Sequence, residues 1–345
     1  MKFKIVNSKG EPVLLNAQEQ RLANYNQRKC NALGYEIDIT TLTTLIKKVT
    51  EQKFFEIAPA DYLPVRVGEG AWSSNLVTYR SFQLADDFAT GVMNMGGGNS
   101  RMATADAGVD SLSIAVKNWA KQVGWTLMEM QQALKAGNWD LVTAKERSRK
   151  RNWDLGIQRV AFLGLDGASD VLGLYNQSGV TNNTTFMSGP LSQMATVDLK
   201  FFCANVLDLY RANNNRTAWP THFILPESDY LGLAAPSSPD FPIKSTLAVL
   251  EETFQIMTKN KNFKILPNAY GDAAYNASAS IDKQRYILLN YDDESVRMNL
   301  PVDYTNTLAN SIDNFSFQNV GYGQFTGVLA YRPLEMYYFS FDAIA

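Results

Sequence analysis

The chain has 345 residues, 46% hydrophobic and 19% charged, a globular composition that excludes a disordered polymer. Its 32 Lys and Arg face 34 Asp and Glu, a formal net charge of -2. This argues against a dedicated nucleic-acid binder, whose affinity draws on a strong positive excess. The two cysteines, Cys30 and Cys203, are far apart and indicate neither a disulfide framework nor a cysteine-based metal site.

The N-terminal Met1-Lys2-Phe3-Lys4 opens no apolar stretch of signal-peptide length. No run approaches the roughly 18–20 apolar residues that span a bilayer, so a soluble protein with no membrane partner is expected. Aromatics reach 12%, with 16 Tyr and 18 Phe, which suits extensive subunit interfaces as well as cores.

Residues 1 to about 36 are polar and aperiodic and read as an arm. Leu42, Leu45, Ile46 and Val49 then fall at the spacing of a short amphipathic helix. Pro59 and Pro64 hold the following chain extended into Val65-Arg66-Val67-Gly68. Residues 68–110 carry two β-like pieces, Asn75–Phe82 and Phe88–Met95, around Asp86-Asp87, followed by Gly96-Gly97-Gly98-Asn99-Ser100. With no apolar face of core size, this stretch reads as a long projecting hairpin. Its apolar residues Leu76, Val77, Phe82, Phe88 and Val92 need cover from a neighbouring subunit.

Ile114–Trp125 reads as one strand, and a helix of about ten residues with Leu127, Met130, Gln131 and Leu134 stops at Gly137. Asn138 or Asp140 caps a long helix to Leu163, roughly 34 Å at 1.5 Å per residue. From residue 195 an α/β portion begins. Thr196 is placed to cap a helix whose Leu199, Phe202, Cys203, Val206 and Tyr210 form an apolar stripe ended by Asn213-Asn214-Asn215. His222–Leu225, Phe263–Leu266 and Tyr286–Asn290 read as strands, and Thr246–Phe254 as a helix. Gly327–Phe341 is strand-rich, with Tyr337, Phe339 and Phe341 on one face and Arg332-Pro333 as an interruption.

Catalytic chemistry is scarce. The single histidine, His222, sits between Pro220 and an apolar run and reads as a satisfied residue at a strand start. No serine or cysteine lies in a nucleophile-elbow context, and no metal spacing of His or Cys exists. Gly96-Gly97-Gly98 lacks the Lys-Ser/Thr of a phosphate-binding loop. Asp292-Asp293-Glu294 lacks EF-hand spacing and reads as a solvated turn. Lys145-Glu146-Arg147-Ser148-Arg149-Lys150-Arg151 carries five bases and one acid; taken alone it is a solvated helix face.

The order of parts carries more than any single motif. Pro64-Val65 and Asn75-Leu76-Val77-Thr78-Tyr79-Arg80 look like the lead-in to an extended loop. Gly124-Trp125-Thr126-Leu127-Met128-Glu129-Met130 and Ala136-Gly137-Asn138-Trp139-Asp140-Leu141 resemble a spine-helix region. Val160-Ala161-Phe162-Leu163-Gly164 with Gly173-Leu174-Tyr175-Asn176, and Thr326-Gly327-Val328-Leu329-Ala330-Tyr331-Arg332-Pro333, are similar to the turn after that helix and to a last strand. Together they resemble the major capsid proteins of tailed bacteriophages, which have the Hong Kong 97-like fold.

The resemblance implies an α+β chain. Its parts would be an N-terminal arm and short helix (1–50), a lead-in (51–67), an extended loop (68–110) and a peripheral domain with the spine helix (111–194). An axial domain (195–300) and return strands of the peripheral domain (301–345) complete it. It implies a non-enzymatic subunit without cofactors that assembles in the bacterial cytoplasm into hexameric and pentameric capsomers of the virion. Portal and scaffolding or decoration proteins are further implied partners. In this fold the long helix lies towards the inner surface, so Lys145, Arg147, Arg149, Lys150 and Arg151 become candidates to face packaged double-stranded DNA without reading its sequence. The alternatives are an encapsulin-like shell protein and a carboxylate-based hydrolase.

Overall fold

The computed structural model describes residues 53–83, 107–137, 140–236 and 244–342. The expected arm, the Leu42–Val49 helix, the Phe88–Met95 strand and the triple glycine lie outside the described residues. In chain order, β1 (Val65–Val67), β2 (Asn75–Gln83), β3 (Ala107–Ala115) and β4 (Lys117–Thr126) precede helices α1 (Leu127–Gly137) and α2 (Leu141–Leu163). β5 (Thr181–Asn183), α3 (Thr196–Asn213), β6 (His222–Pro226), α4 (Glu227–Leu233), α5 (Thr246–Thr258) and β7 (Lys264–Asn268) follow. The last elements are α6 (Ala273–Asn276), β8 (Gln284–Leu289), β9 (Val296–Leu300), β10 (Val302–Asn306), β11 (Asn310–Ser311), β12 (Ser316–Phe325), β13 (Val328–Ala330) and β14 (Met336–Phe341).

The long helix α2 begins where the sequence supplies a cap. Asp140 accepts from the Thr143 backbone N–H at 3.1 Å and the Thr143 hydroxyl at 2.6 Å, satisfying an otherwise orphaned first-turn donor. Arg149, Trp153, Ile157, Val160 and Ala161 recur at helical spacing and are buried. That stripe lies on the sheet formed by β4, β12 and β10. Trp153 packs on Trp119 of β4 and Phe325 of β12, with ring centroids 5.2 and 6.1 Å away. Close approach depends on two glycines of β12. A Cβ at Gly321 would fall 2.6 Å from Arg149 Nε, and one at Gly323 would fall 2.5 Å from the Trp153 ring.

Beyond α2 lies a mixed five-stranded sheet in the order β5-β14-β8-β6-β7. Its inner strands bury alternate residues on opposite faces. Ile224, Ile287, Leu289, Met336 and Tyr338 share a core with Trp153, Ile157 and Phe162 of α2. Phe223, Leu225, Leu288, Tyr337, Phe339 and Phe341 face the other way, into a second core capped by Leu199, Phe202, Cys203, Val206 and Tyr210 of α3 and Phe254 of α5. Near-continuous apolar runs in β6, β8 and β14 follow from burial on both faces. A smaller sheet, β1-β9-β13, closes the first core with Val296, Met298 and Val328.

Four expectations need correction. The stretch 114–125 is two strands that part at Val116. There β3 turns back to pair with β2, and β4 pairs with β12. Strand Asn75–Gln83 has Ala107–Ala115 as its partner, so the ribbon crosses the expected boundary at 110/111. Ala195, not Thr196, occupies the cap position of α3, without a side-chain bond. Residues 301–345 do not return as one group. β10 and β12 join the sheet under α2, whereas β14 runs inside the five-stranded sheet because both its faces are apolar.

Glycine substitutions should separate packing from propensity. Gly323→Ala should destabilise the chain by about 1–3 kcal/mol through overpacking against Trp153. Gly156→Ala, on the open side of the same helix where a Cβ meets nothing within 4 Å, should stabilise it by about 0.5–1 kcal/mol. Denaturant midpoints of the two variants against wild type provide the check.

Candidate functional site

The basic segment of α2 divides by helical phase. Arg149, four residues before Trp153, is only 2% exposed and belongs to the packed stripe. Its Nε donates to the Tyr304 hydroxyl at 2.8 Å, and its terminal nitrogens donate to the Asn319 side-chain and backbone oxygens at 2.8 and 3.0 Å and to Asn306 Oδ1 at 3.1 Å. Asn319 in turn donates to the Glu146 carboxylate. Arg149 is therefore withdrawn from the candidate DNA-facing set. Burying a guanidinium is costly unless its donors are met, and here strands β10 and β12 meet them.

The remaining bases lie elsewhere on the helix. Lys145 is half-buried and donates to the Gly124 carbonyl at 2.9 Å and to Glu129 at 3.1 Å. That bond, with a second from the Thr126 backbone N–H, holds the Glu129 carboxyl below its usual range. Arg151 pairs with Glu56 at 3.5 Å and lies over the Phe54 ring, 5.1 Å from its centroid. Arg147 and Lys150 are exposed. The Arg149–Trp153–Ile157 spacing was a legible sign that Arg149 faces inward. Its partners Tyr304, Asn306 and Asn319 carried no such sign, being 155 to 170 residues away.

The β2–β3 ribbon pairs from Asn75↔Ala115 to Gln83↔Ala107. On one face Val77, Tyr79 and Val109 stand 54%, 74% and 68% exposed, an apolar row of a kind rarely left in water. Leu76 is half-buried on the other face, beside buried Ile114. Phe82 takes its strand place opposite Gly108, and Phe88 and Val92 lie outside the described residues. Tyr79 and Val109 were missed by sequence reasoning: alternation along β2 puts Tyr79 on the face of Val77, whereas only the register, with Val109 opposite Ser81, brings Val109 to that face. Helix α1 forms as expected, yet Leu127, Met128 and Leu134 remain exposed.

Groups with catalytic potential are engaged structurally. His222 is buried, shares a hydrogen bond with the Thr221 hydroxyl at 2.9 Å and packs on Tyr291. Burial, with a smaller push from Lys264, lowers its pKa from 6.5 to about 4. Asp293 pairs with Arg66 and Arg297, while Arg332 reaches Asp292, Glu294 and Glu335. The acidic turn is thus an ion-pair network tying β1, β9 and the segment before β14. Burial pushes the Cys203 thiol up to about 12, keeping it protonated. Among the described residues, no group of three or more His, Cys, Asp or Glu is placed to hold a metal. None of the described helices is long and apolar enough to cross a membrane.

The architecture is similar to viral shells of known structure. The capsid of Myoviridae phage XM1 aligns with a TM-score of 0.70 at 14% identity, over 89% of this chain and 99% of that one. Mycobacterium phage Ogopogo gives 0.55 at 9% identity, over 89% and 100%, and Mycobacterium phage Che8 gives 0.53 at 12%, over 89% and 98%. The fold is therefore the mixed α+β, Hong Kong 97-like fold of tailed-phage capsids. The family model described as major capsid protein matches residues 93–341, and the chain belongs to that family. It is a structural capsid shell protein, and an encapsulin identity is not favoured. No curated protein matches the chain.

Arg149→Gln should lower stability by about 3 kcal/mol, because truncation strands buried polar partners. Lys150→Gln on the exposed side should change it by under about 0.5 kcal/mol, both read from denaturant unfolding.

His222 predicts an acid dependence. Its folded pKa of about 4 lies below the unfolded 6.5, so the unfolded chain binds more protons between them. Stability is complete above the unfolded value and falls as pH drops towards the folded one, by about 2 kcal/mol between pH 7 and 5. His222→Gln should lack this component when unfolding free energy is followed across that range.

Proposed function

We propose that the chain is the main building block of a tailed-phage head, self-assembling through hexameric and pentameric capsomers into an icosahedral shell around double-stranded DNA. The observation carrying this reading is the exposed row Val77, Tyr79 and Val109 on a two-stranded ribbon. A ribbon of two strands is marginal in water, and its apolar face gains cover when a neighbouring copy packs on it. Leu76 and Phe82, with Phe88 and Val92 further along, belong to the same proposed contact region.

The subunit acts without catalysis or cofactor. Portal and scaffolding or decoration proteins are its further partners, and assembly takes place in the bacterial cytoplasm. For the genome, Arg147, Lys150 and Arg151, with Lys145 at the edge, supply the positive side of α2. They favour phosphate through counterion release, with no base readout. Weak contact per subunit suffices, because many copies act together.

Two experiments test this. Val77→Ser with Tyr79→Ser should leave the subunit folded by circular dichroism but raise the concentration at which shells appear in negative stain by tenfold or more. Unchanged assembly would remove the ribbon from the interface. Arg147→Gln with Lys150→Gln should leave empty-shell assembly intact while filled heads release DNA at lower temperature. Equal retention of DNA would refute the inner-surface role.

A further inference from the structure

Helix α3 turns Phe202, Val206 and Tyr210 into the second core. Its other side carries Ala204, Asp208 and Arg211 at helical spacing. These residues line an open cavity of about 280 Å³, together with Leu207, Trp219 and Met257 of α5. The Arg211 guanidinium lies on the Trp219 indole, 3.8 Å from the ring centroid. Its terminal nitrogen donates to the Arg216 carbonyl at 3.0 Å, and the Arg216 backbone N–H returns to the Arg211 carbonyl at 2.7 Å. The two arginines are thereby locked beside one another, and Arg216 also lines the cavity. Arg211 Nε is buried with no hydrogen-bond partner, so this guanidinium is not fully satisfied within the described chain.

The turn that holds Arg216 is strained. Asn215 and Arg216 have φ of 53° and 62°, in the left-handed region that asparagine tolerates and arginine does not. Helix ends of this shape take glycine without steric cost, so an arginine here weakens the turn. Strain of this kind clusters at binding surfaces. More positive charge stands alongside. Strands β6 and β7 are parallel and pair His222 with Lys264, so the loops entering them lie side by side. Lys259, Lys261 and Lys264, all exposed, therefore join Arg211 and Arg216 at one end of the five-stranded sheet. Among the described residues, none of these five cations forms an ion pair with a carboxylate.

We infer that this cavity and its basic rim bind an acidic peptide segment of a second protein, a partner other than copies of the chain. The occupant follows from the lining. Arginine forks pair with carboxylates, and clusters of them recognise acidic motifs. Leu207, Met257 and Trp219 offer apolar surface to an aliphatic side chain. Asp208 offers only acceptors, which suit a backbone N–H. A peptide of acidic and apolar residues supplies all three groups together. A nucleic-acid strand carries a phosphate on every nucleotide, which Asp208 repels. A second copy is a poorer match, because its acidic turn at Asp292, Asp293 and Glu294 is already held by Arg66, Arg297 and Arg332.

The test titrates the full-length chain with three probes: an acetylated, amidated peptide alternating glutamate and leucine, its lysine-for-glutamate counterpart, and oligothymidylate. Binding is followed by calorimetry and by indole fluorescence, with Trp219→Phe supplying the Trp219 signal by difference. The glutamate peptide should bind saturably, perturb Trp219 and weaken as salt is raised, whereas the lysine peptide should not bind. Arg216→Gly relieves the left-handed strain, so its thermal midpoint should equal or exceed that of wild type. Its affinity for the glutamate peptide should nevertheless fall about tenfold or more, as should that of Arg211→Gln. The proposal is overturned if the glutamate peptide does not bind, if Arg216→Gly binds it like wild type, or if the lysine peptide or oligothymidylate binds as tightly. Loss of shell assembly in the folded Arg216→Gly variant would give this surface to contacts between copies and overturn it as well.

Discussion

A buried guanidinium joins the two halves of the helical layer's support. Arg149 extends from α2 to the ends of its donors' reach and finds oxygens on β10 and β12, strands that the chain makes more than 150 residues later. Those strands would gain little by pairing alone, and a long polar helix with one apolar stripe would gain little by folding alone. The bonds to Arg149 fix the register of helix against sheet, while Trp153 one turn further supplies the apolar contact. Gly321 and Gly323 make the distance small enough for both.

From that junction the remaining packing follows in layers. The far half of α2 turns Ile157, Val160 and Ala161 into a core that reaches the five-stranded sheet. The sheet divides its residues between this core and the one under α3 and α5, so β14 cannot shift by one residue without exchanging Tyr338 for Tyr337 or Phe339. Polar links reinforce the arrangement. Tyr210 of α3 donates to the Glu335 carbonyl at 2.7 Å, and Tyr338 donates to the Leu174 carbonyl at 2.6 Å. The two cores share one sheet and are mechanically connected through it.

Outside the two cores, several large apolar side chains stay exposed. The ribbon row, Leu127 and Met128 on α1, and Trp72 are apolar groups beyond the reach of either core. In the proposed shell the interior stabilises the subunit, and these exposed groups are left for copies of the chain to cover. The charged groups follow a similar division. Asp292, Asp293 and Glu294 are answered by Arg66, Arg297 and Arg332 within the chain, whereas Lys150 is presented outward.

Local pattern alone determined much of this. The Asp140 cap, the α2 stripe, the Leu199–Tyr210 stripe and the alternation through Tyr337, Phe339 and Phe341 depend on neighbours a few residues apart, and the order of those elements resembled the capsid family. Local pattern did not determine which strands would meet. Val116 divides two strands because one must pair with β2 and the other with β12, a long-range choice that no adjacent residue announces. The fate of the basic segment was decided in the same way. Five cations within seven residues look alike until helical phase and a distant cluster of Tyr304, Asn306 and Asn319 draw Arg149 inward and leave Lys150 in water. Periodicity records which face a residue shares with its neighbours; what covers that face is fixed only when remote strands arrive, because desolvation and hydrogen bonding act between atoms in contact, wherever they lie in the chain.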